Sequence, residues 1–202
     1  MMKTAIMTDT NSGITAGEAQ QLGIYVLPMP VLIDDHCYLE GMGIQPEQLY
    51  EAMERESKIS TSQPSPGSIV ELWNSILEAG YEEIVHIPMT SGLSGSCHSA
   101  SLLAQEFGTK VYVVDNHRIS ATQRESVLEA KRMADAGSSA KEIKDYLEAT
   151  ALQSSIYLTV ASLKYLRAGG RLGPSAAMLG TLLNIKPVLS IQGGQIEAFA
   201  KV

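Results

Sequence analysis

A strand, a loop rich in glycine and hydroxyl groups and a helix follow one another in the middle of the chain, and this stretch constrains the fold more than any other. Residues 84–87 form a short apolar run, typical of a buried strand. Loop 90–96 follows, and apolar residues spaced along one helical face predict a helix from Ala100 to Phe107. Because residues 111–114 are predicted as the next strand, the pattern indicates a βαβ unit.

The loop of this unit, which reads TSGLSGS, is the first candidate binding site. In a βαβ unit such a loop lies at the carboxyl end of the strand and leads into the N-terminus of the helix. Free N–H groups and the positive end of the helix dipole favour an anion there. We therefore predict that loop 90–96 holds the head group of a ligand.

Length, charge and cysteine content restrict the class of protein. The chain has 202 residues, 45% of them hydrophobic, which is enough for a substantial core. A net charge of −7 argues against nucleic acid as a partner, and no apolar stretch is long enough for stable membrane insertion. Cys37 and Cys97 form neither a metal spacing nor a disulfide framework, and the first residues are interpreted as leading into a strand rather than as a signal peptide. A cytoplasmic protein is therefore predicted.

The remaining strand and helix patterns predict an α/β fold. They include an extended run at residues 24–33, a helix that begins at Pro46, and a capping box formed by Ser139 and Glu142. Residues 1–161 are interpreted as an N-terminal domain with a parallel sheet and helices on both faces, with a first strand at residues 4–7. Residues 162–202 are interpreted as the start of a second α/β domain. It is predicted to hold a helix from 174 to about 183 and a hairpin at 187–200. Since the sequence stops on the second hairpin strand, this domain is expected to be incomplete.

Three loops, at residues 8–13, 61–67 and 90–96, carry many hydroxyl groups and no lysine or arginine. A multiply charged phosphate usually recruits cationic side chains, and the lysine of the phosphate-binding Walker pattern is absent, so a phospho-sugar binder is disfavoured. A cradle of hydroxyl and N–H groups suits a monoanion such as a carboxylate. The alternative for each loop is that its Ser and Thr residues only cap helices and turns.

A serine acyl hydrolase using Ser94 is the alternative from another class. Residues 92–96 come one residue short of the G-x-S-x-G nucleophile elbow, between a correctly placed strand and helix. A triad needs a later histidine, but His98 lies on the helix directly after the serine and His117 is too close to Asp115 for a relay pair. His86, inside a strand, is interpreted as a core histidine whose hydrogen bonds are made, and the histidines have no metal spacing.

Arg171 is the basic residue singled out for contact with a ligand or partner. It is flanked by Gly169, Gly170 and Gly173, a backbone suited to close approach. The other basic residues near loops are interpreted as solvated surface.

Five motifs, in order along the whole chain, resemble the DegV family. They are TDTNSG, TSQPSPG, TSGLSGS, VVDNHRIS and LKYLRAGGRLG. These are bacterial fatty-acid-binding proteins that present acyl chains to a fatty acid kinase. The resemblance implies a carrier that is not itself an enzyme, uses no cofactor or metal, and has a long-chain fatty acid and a fatty acid kinase as partners.

The resemblance also assigns roles to particular residues. It implies two α/β domains with the acyl chain between them, and a carboxylate held by Thr61, Ser62 and Ser94 with Gly95 beside them. Arg171, in the GGR motif, is implicated in work with the kinase. Two departures stand out: family members are longer, with a histidine- and glycine-bearing motif near the C-terminus that this sequence lacks, and Thr10 stands where serine is common.

Overall fold

The computed structural model describes residues 3–173 and 187–201. The strands are β1 (Thr4–Asp9), β2 (Ile24–Leu27), β3 (Pro30–Ile33), β4 (His36–Leu39), β5 (Ile59–Thr61), β6 (Glu83–Ile87), β7 (Val111–Val113), β8 (Ile156–Leu158), β9 (Pro187–Ile191) and β10 (Ile196–Lys201). The α-helices are α1 (Ala16–Leu22), α2 (Pro46–Glu54), α3 (Pro66–Glu78), α4 (Ser96–Ala104), α5 (Ser120–Asp135), α6 (Ala140–Ala149) and α7 (Lys164–Ala168).

The centre of the fold is a parallel sheet of four strands in the order β2-β1-β6-β7. Successive side chains of a strand point to opposite faces, and both faces of this sheet are apolar. Met7 packs with Trp73 of α3 and Ala100 of α4, whereas the neighbouring Ile6 packs with α1, α5 and α6 on the other side. The predicted parallel sheet with helices on both faces is confirmed.

Two smaller antiparallel sheets lie beside the central sheet, in the orders β4-β3-β5 and β10-β9-β8. The extended run predicted at residues 24–33 contributes to two sheets: β2 is an edge strand of the parallel sheet, and β3 is the middle strand of the first small sheet. Pro28 and Pro30 bracket the break, because proline has no N–H to continue a ladder.

The hairpin predicted near the end of the sequence is present. β9 and β10 pair antiparallel with Ile191 opposite Ile196, and β8 pairs with β9 on the other side. The helix predicted at 174–183 lies outside the described residues. The division into domains at residue 162 stays a prediction.

The helix of the central βαβ unit begins and ends earlier than predicted. α4 ends at Ala104, and residues 105–110 form a 3-10 segment interrupted at Gly108, whose φ of 58° and ψ of −122° lie outside the helical region. Phe107 still packs edge-on against Trp73, with 5.2 Å between ring centroids. The apolar spacing therefore predicted that Phe107 packs in the core, although it did not predict the bounds of the α-helix.

His86 is a buried core residue of β6, with 1% of its surface exposed. It packs edge-on against Trp73 at 5.7 Å between ring centroids, and neither ring nitrogen has a hydrogen-bond partner among the described residues. The core interpretation is confirmed, but the expectation that its hydrogen bonds are made is wrong. Because burial disfavours the charged ring, the pKa of His86 is lowered to about 3.

We expect this histidine to make the protein less stable in mild acid. Between pH 3 and 6.5 the unfolded state binds the proton that folded His86 refuses, so its contribution is fully present above pH 6.5 and is lost as pH falls toward 3. The free energy of unfolding should fall by about 2 kcal/mol between pH 7 and pH 5 on this account.

Chemical denaturation across this pH range should be compared with His86→Leu. Asp9 titrates with the opposite sign but is present in both proteins, so the difference between the two curves isolates the histidine. Parallel curves for the two proteins would contradict the prediction.

Candidate functional site

A cavity of about 420 Å³ lies at the carboxyl edge of the parallel sheet. The chain leaves β1 toward β2 on one side, and β6 leads to β7 on the other, so this edge contains the topological switch point where α/β folds usually bind ligands. Its apolar wall comes from the two antiparallel sheets, from α2 and α7, and from loops that follow the parallel strands. The lining residues are Met29, Val31, Leu49, Met53, Ile59, Met89, Leu93, Ile119, Leu166 and Ile196. This volume lies in the range of roughly 300–1,000 Å³ typical of small-molecule sites.

The structure brings four of the five predicted site residues to this cavity. Thr61, Ser62, Ser94 and Arg171 all line it, although they come from three separate parts of the chain. Gly95 adjoins Ser94 but is not among the lining residues.

Thr61 ends the strand β5, Ser62 follows it, and both residues form the exposed polar rim of the cavity. Their backbone is fixed by the small sheet, with Thr61 opposite Val31 and the Ser62 N–H donating to the Pro30 carbonyl at 3.2 Å. Their hydroxyls make no hydrogen bond to any described residue. The backbone of both residues is therefore held in place, and both hydroxyls are available to a ligand.

Ser94 stands at the N-terminus of α4, where its hydroxyl oxygen accepts a hydrogen bond from the Ser96 N–H at 3.2 Å. The residue is half-buried. Capping uses the oxygen as acceptor and leaves the hydroxyl proton free to donate. Ser94 can therefore cap the helix and donate to an anion in the cavity at the same time.

Two glycines of this loop are required by close approaches. A Cβ on Gly95 would lie 2.9 Å from the amide oxygen of Gln63, which accepts a hydrogen bond from the Ser99 hydroxyl at 3.2 Å. A Cβ on Gly92 would lie 2.7 Å from Cα of Gly194. The glycines thus let loop 61–67 and the turn between β9 and β10 pack directly on loop 90–96.

Arg171 joins the loop to the hairpin. Its Nε donates to the Leu93 carbonyl at 3.2 Å and its Nη1 to the Gly169 carbonyl. The Ile196 N–H donates to the Arg171 carbonyl at 3.3 Å. The side chain lines the cavity while holding loop 90–96 against β10, a positioning role that the motif did not reveal.

The Asp9 side chain connects the chain segments that form the site, and the sequence analysis did not select this residue. This buried carboxylate accepts hydrogen bonds from the Met89 N–H at 2.8 Å, from Nε2 of Gln123 at 3.1 Å, and from both the backbone and side-chain N–H groups of Asn11 at 3.1 Å. Burial raises the pKa of Asp9, although these hydrogen bonds oppose the shift. The sequence does contain a signal for this role, because Asp9 is an acidic residue at the carboxyl end of the first parallel strand, where sites in α/β folds lie.

The hydroxyls of loop 8–13 serve the fold rather than the cavity. Thr8 donates to the Ile87 carbonyl at 2.8 Å, Thr10 to Glu40 at 2.6 Å, and Ser12 to the Asp9 carbonyl at 2.8 Å. For this loop the structural alternative is correct. Asn11, which the sequence interpretation did not select, is the lining residue here.

None of the four histidines is hydrogen-bonded to Ser94. His86 is buried in the core, His98 is exposed on α4, His117 has its Nδ1 3.6 Å from Asp115, and Nδ1 of His36 contacts the Asp34 carbonyl. Within the described residues, Ser94 therefore has no histidine placed to take its proton.

Comparison with known proteins identifies the family. A family model whose description reads "Uncharacterised protein, DegV family" matches residues 3–202. The chain belongs to the DegV family. A DegV domain-containing protein of Deinococcus radiodurans is 38% identical over 202 residues, which cover 100% of this chain and 72% of the relative.

Solved DegV structures share the fold. A DegV family protein from Thermus thermophilus, described by its fatty acid binding, superposes with a TM-score of 0.90 at 32% identity, covering 100% of this chain and 72% of that one. DegV of Bacillus subtilis, described as a fatty acid binding protein, has a TM-score of 0.88 at 29% identity, covering 100% and 72%. A stearic-acid-binding protein of Eubacterium ventriosum has a TM-score of 0.87 at 27% identity, covering 100% and 71%.

The described residues offer neither a membrane-spanning helix nor a metal site. No helix among them is long and apolar enough to cross a membrane. In the same part of the chain, no group of three or more His, Cys, Asp or Glu side chains could hold a metal ion. The cytoplasmic location and the absence of catalysis stay predictions.

Proposed function

We propose that this DegV-family protein binds a long-chain fatty acid and offers its carboxylate to a fatty acid kinase, without chemistry of its own. The carboxylate is held by Ser94, Thr61 and Ser62, and the alkyl chain enters the apolar part of the cavity. Arg171 holds loop 90–96 in position and is the candidate contact with the kinase.

One observation carries this proposal: hydroxyl residues from two loops that are far apart in the sequence line one apolar cavity. A carboxylate gains from donors at the rim, and each methylene removed from water contributes about 0.8 kcal/mol. The two halves of the cavity therefore suit the two halves of a fatty acid. The solved relatives from Thermus thermophilus and Bacillus subtilis, described as fatty acid binding, support the same assignment.

The position of the rim supports presentation to a partner. Thr61 and Ser62 are exposed, so a carboxylate beside them lies near the surface rather than at the bottom of the cavity. A protein that only positions the acid needs no nucleophile of its own, because the kinase supplies the phosphoryl chemistry. The lack of a histidine at Ser94 fits this role better than hydrolysis.

We expect the protein purified from bacteria to carry about one fatty acid per chain, as a single small-molecule cavity allows. Extraction and lipid mass spectrometry measure this directly, and the delipidated protein should take up labelled fatty acid again. Incubation with a chromogenic ester tests the alternative in the same preparation. Turnover that Ser94→Ala abolishes would favour the hydrolase, and failure to take up any fatty acid would refute the carrier.

A further inference from the structure

A second carboxylate, that of Glu40, stands in the wall of the proposed fatty-acid cavity. The residue is half-buried, and its Oε2 accepts a hydrogen bond from the Thr10 hydroxyl at 2.6 Å. The Thr10 oxygen in turn accepts from the Met29 N–H at 3.1 Å. Among residues 3–173 and 187–201, no lysine or arginine forms an ion pair with Glu40.

The strand register places Glu40 close to the hydroxyl rim. The Glu40 N–H donates to the Met29 carbonyl on one side of β3, and the Ser62 N–H donates to the Pro30 carbonyl on the other side. Thr61, opposite Val31, shares the face of Glu40, because Val31 and Met29 are two positions apart on the same strand direction. Glu40 and Ser62 flank the same end of β3. Since neighbouring strands are about 4.8 Å apart, their backbones are separated by roughly 10 Å across the sheet.

We propose that Glu40 is a specificity-determining residue that limits the negative charge of the bound head group. This inference rests on the proposed fatty-acid function and adds a selection rule to it. The hydroxyl rim attracts one negative charge, and the fixed carboxylate across the small sheet opposes each charge that arrives. A monoanionic carboxylate is accepted, and a dianionic head group such as a phosphate or phosphonate is disfavoured.

The size of the effect follows when this backbone separation is taken as the distance between the two charges. For two unit charges roughly 10 Å apart, with an effective dielectric constant between about 20 and that of water, repulsion weakens binding about 2- to 20-fold. A dianion meets the same repulsion twice, so its binding should be weakened by about the square of that factor. An uncharged ligand should be indifferent to Glu40.

The test measures the affinities of hexadecanoic acid, its methyl ester and hexadecylphosphonate for the wild-type protein and for Glu40→Gln at pH 9.5, where the phosphonate is a dianion. Glutamine has the same shape and can still accept the Thr10 hydrogen bond, so the variant removes charge alone. We expect unchanged binding of the ester, acid binding tightened by about 2- to 20-fold, and a larger gain for the phosphonate.

A matched variant separates charge from packing. Thr10→Val removes the hydrogen bond to Glu40 but keeps the carboxylate, so it should not reproduce the dependence on ligand charge. Equal changes for all three ligands in Glu40→Gln, or the same charge pattern in Thr10→Val, would overturn the inference while leaving fatty-acid binding intact. If neither protein bound any of the three ligands, the proposed function would fail, and the inference with it.

Discussion

Replacing Ser94 with alanine is expected to weaken fatty-acid binding about 10- to 100-fold, because a hydrogen bond to a charged acceptor contributes about 1.5–3 kcal/mol. The hydroxyl lies in the cavity wall at the N-terminus of α4, where the dipole already favours an anion. Equilibrium binding of a labelled fatty acid measures the loss. Binding of the methyl ester, which carries no charge, should change much less.

The control must separate head-group binding from helix capping, because Ser94 also accepts the Ser96 N–H. Loss of a cap costs about 1 kcal/mol of stability, so unfolding of the ligand-free variant has to be measured beside affinity. Ser91→Ala, in the same loop but outside the cavity lining, should leave both quantities nearly unchanged. If Ser94→Ala lost stability but bound acid and ester in the wild-type ratio, the serine would be a cap only, and Thr61 and Ser62 would carry the carboxylate.

Replacing Asp9 with alanine should lower the free energy of unfolding by about 2–4 kcal/mol. The change leaves the buried Met89 N–H without an acceptor and removes the link between the end of β1, residue 89 and Gln123 of α5. Because residues of these loops line the cavity, fatty-acid binding should weaken as well. Urea denaturation and binding of labelled fatty acid measure the two effects.

Two further variants define the role of the Asp9 carboxylate. Glu71→Ala, an exposed change on α3, should alter stability by less than about 0.5 kcal/mol. The part of the stability that comes from the raised pKa of Asp9 is fully present below pH 3.8, the ordinary pKa of the group, and is lost as pH rises through the raised pKa of the folded state. Asp9→Asn should remove this part of the pH dependence. If Asp9→Ala and Glu71→Ala had the same free energy of unfolding, the hydrogen bonds of Asp9 would not be needed for stability.

Local patterns predicted the elements well because their causes are local. The Thr15 side chain accepts from the Glu18 N–H at 3.3 Å, and Ser139 with Glu142 forms the predicted capping box. Pro46 begins α2 as expected for a first helical position. A cap involves residues three positions apart, so the sequence contains both partners next to each other.

The extent of α4 and the environment of His86 were predicted less well. α4 ends at Ala104 because the last turn before Gly108 is a 3-10 segment, and apolar spacing does not distinguish such a turn from an α-helix. Whether buried ring nitrogens find partners depends on side chains brought from elsewhere, here Trp73 of α3. Neither outcome could be predicted from neighbouring residues.

The sequence by itself determined the parallel sheet, the caps, the family and four residues that line the cavity, because periodicity and motifs are properties of adjacent residues. Only the tertiary structure showed that Asp9 joins three segments, that Arg171 fastens loop 90–96 to the hairpin, and that Glu40 shares the cavity with Ser62. The Asp9–Met89, Asp9–Gln123 and Arg171–Leu93 hydrogen bonds span 80, 114 and 78 positions of the chain. They exist because the carboxyl ends of parallel strands meet at one edge, and no local pattern specifies which side chains face one another there.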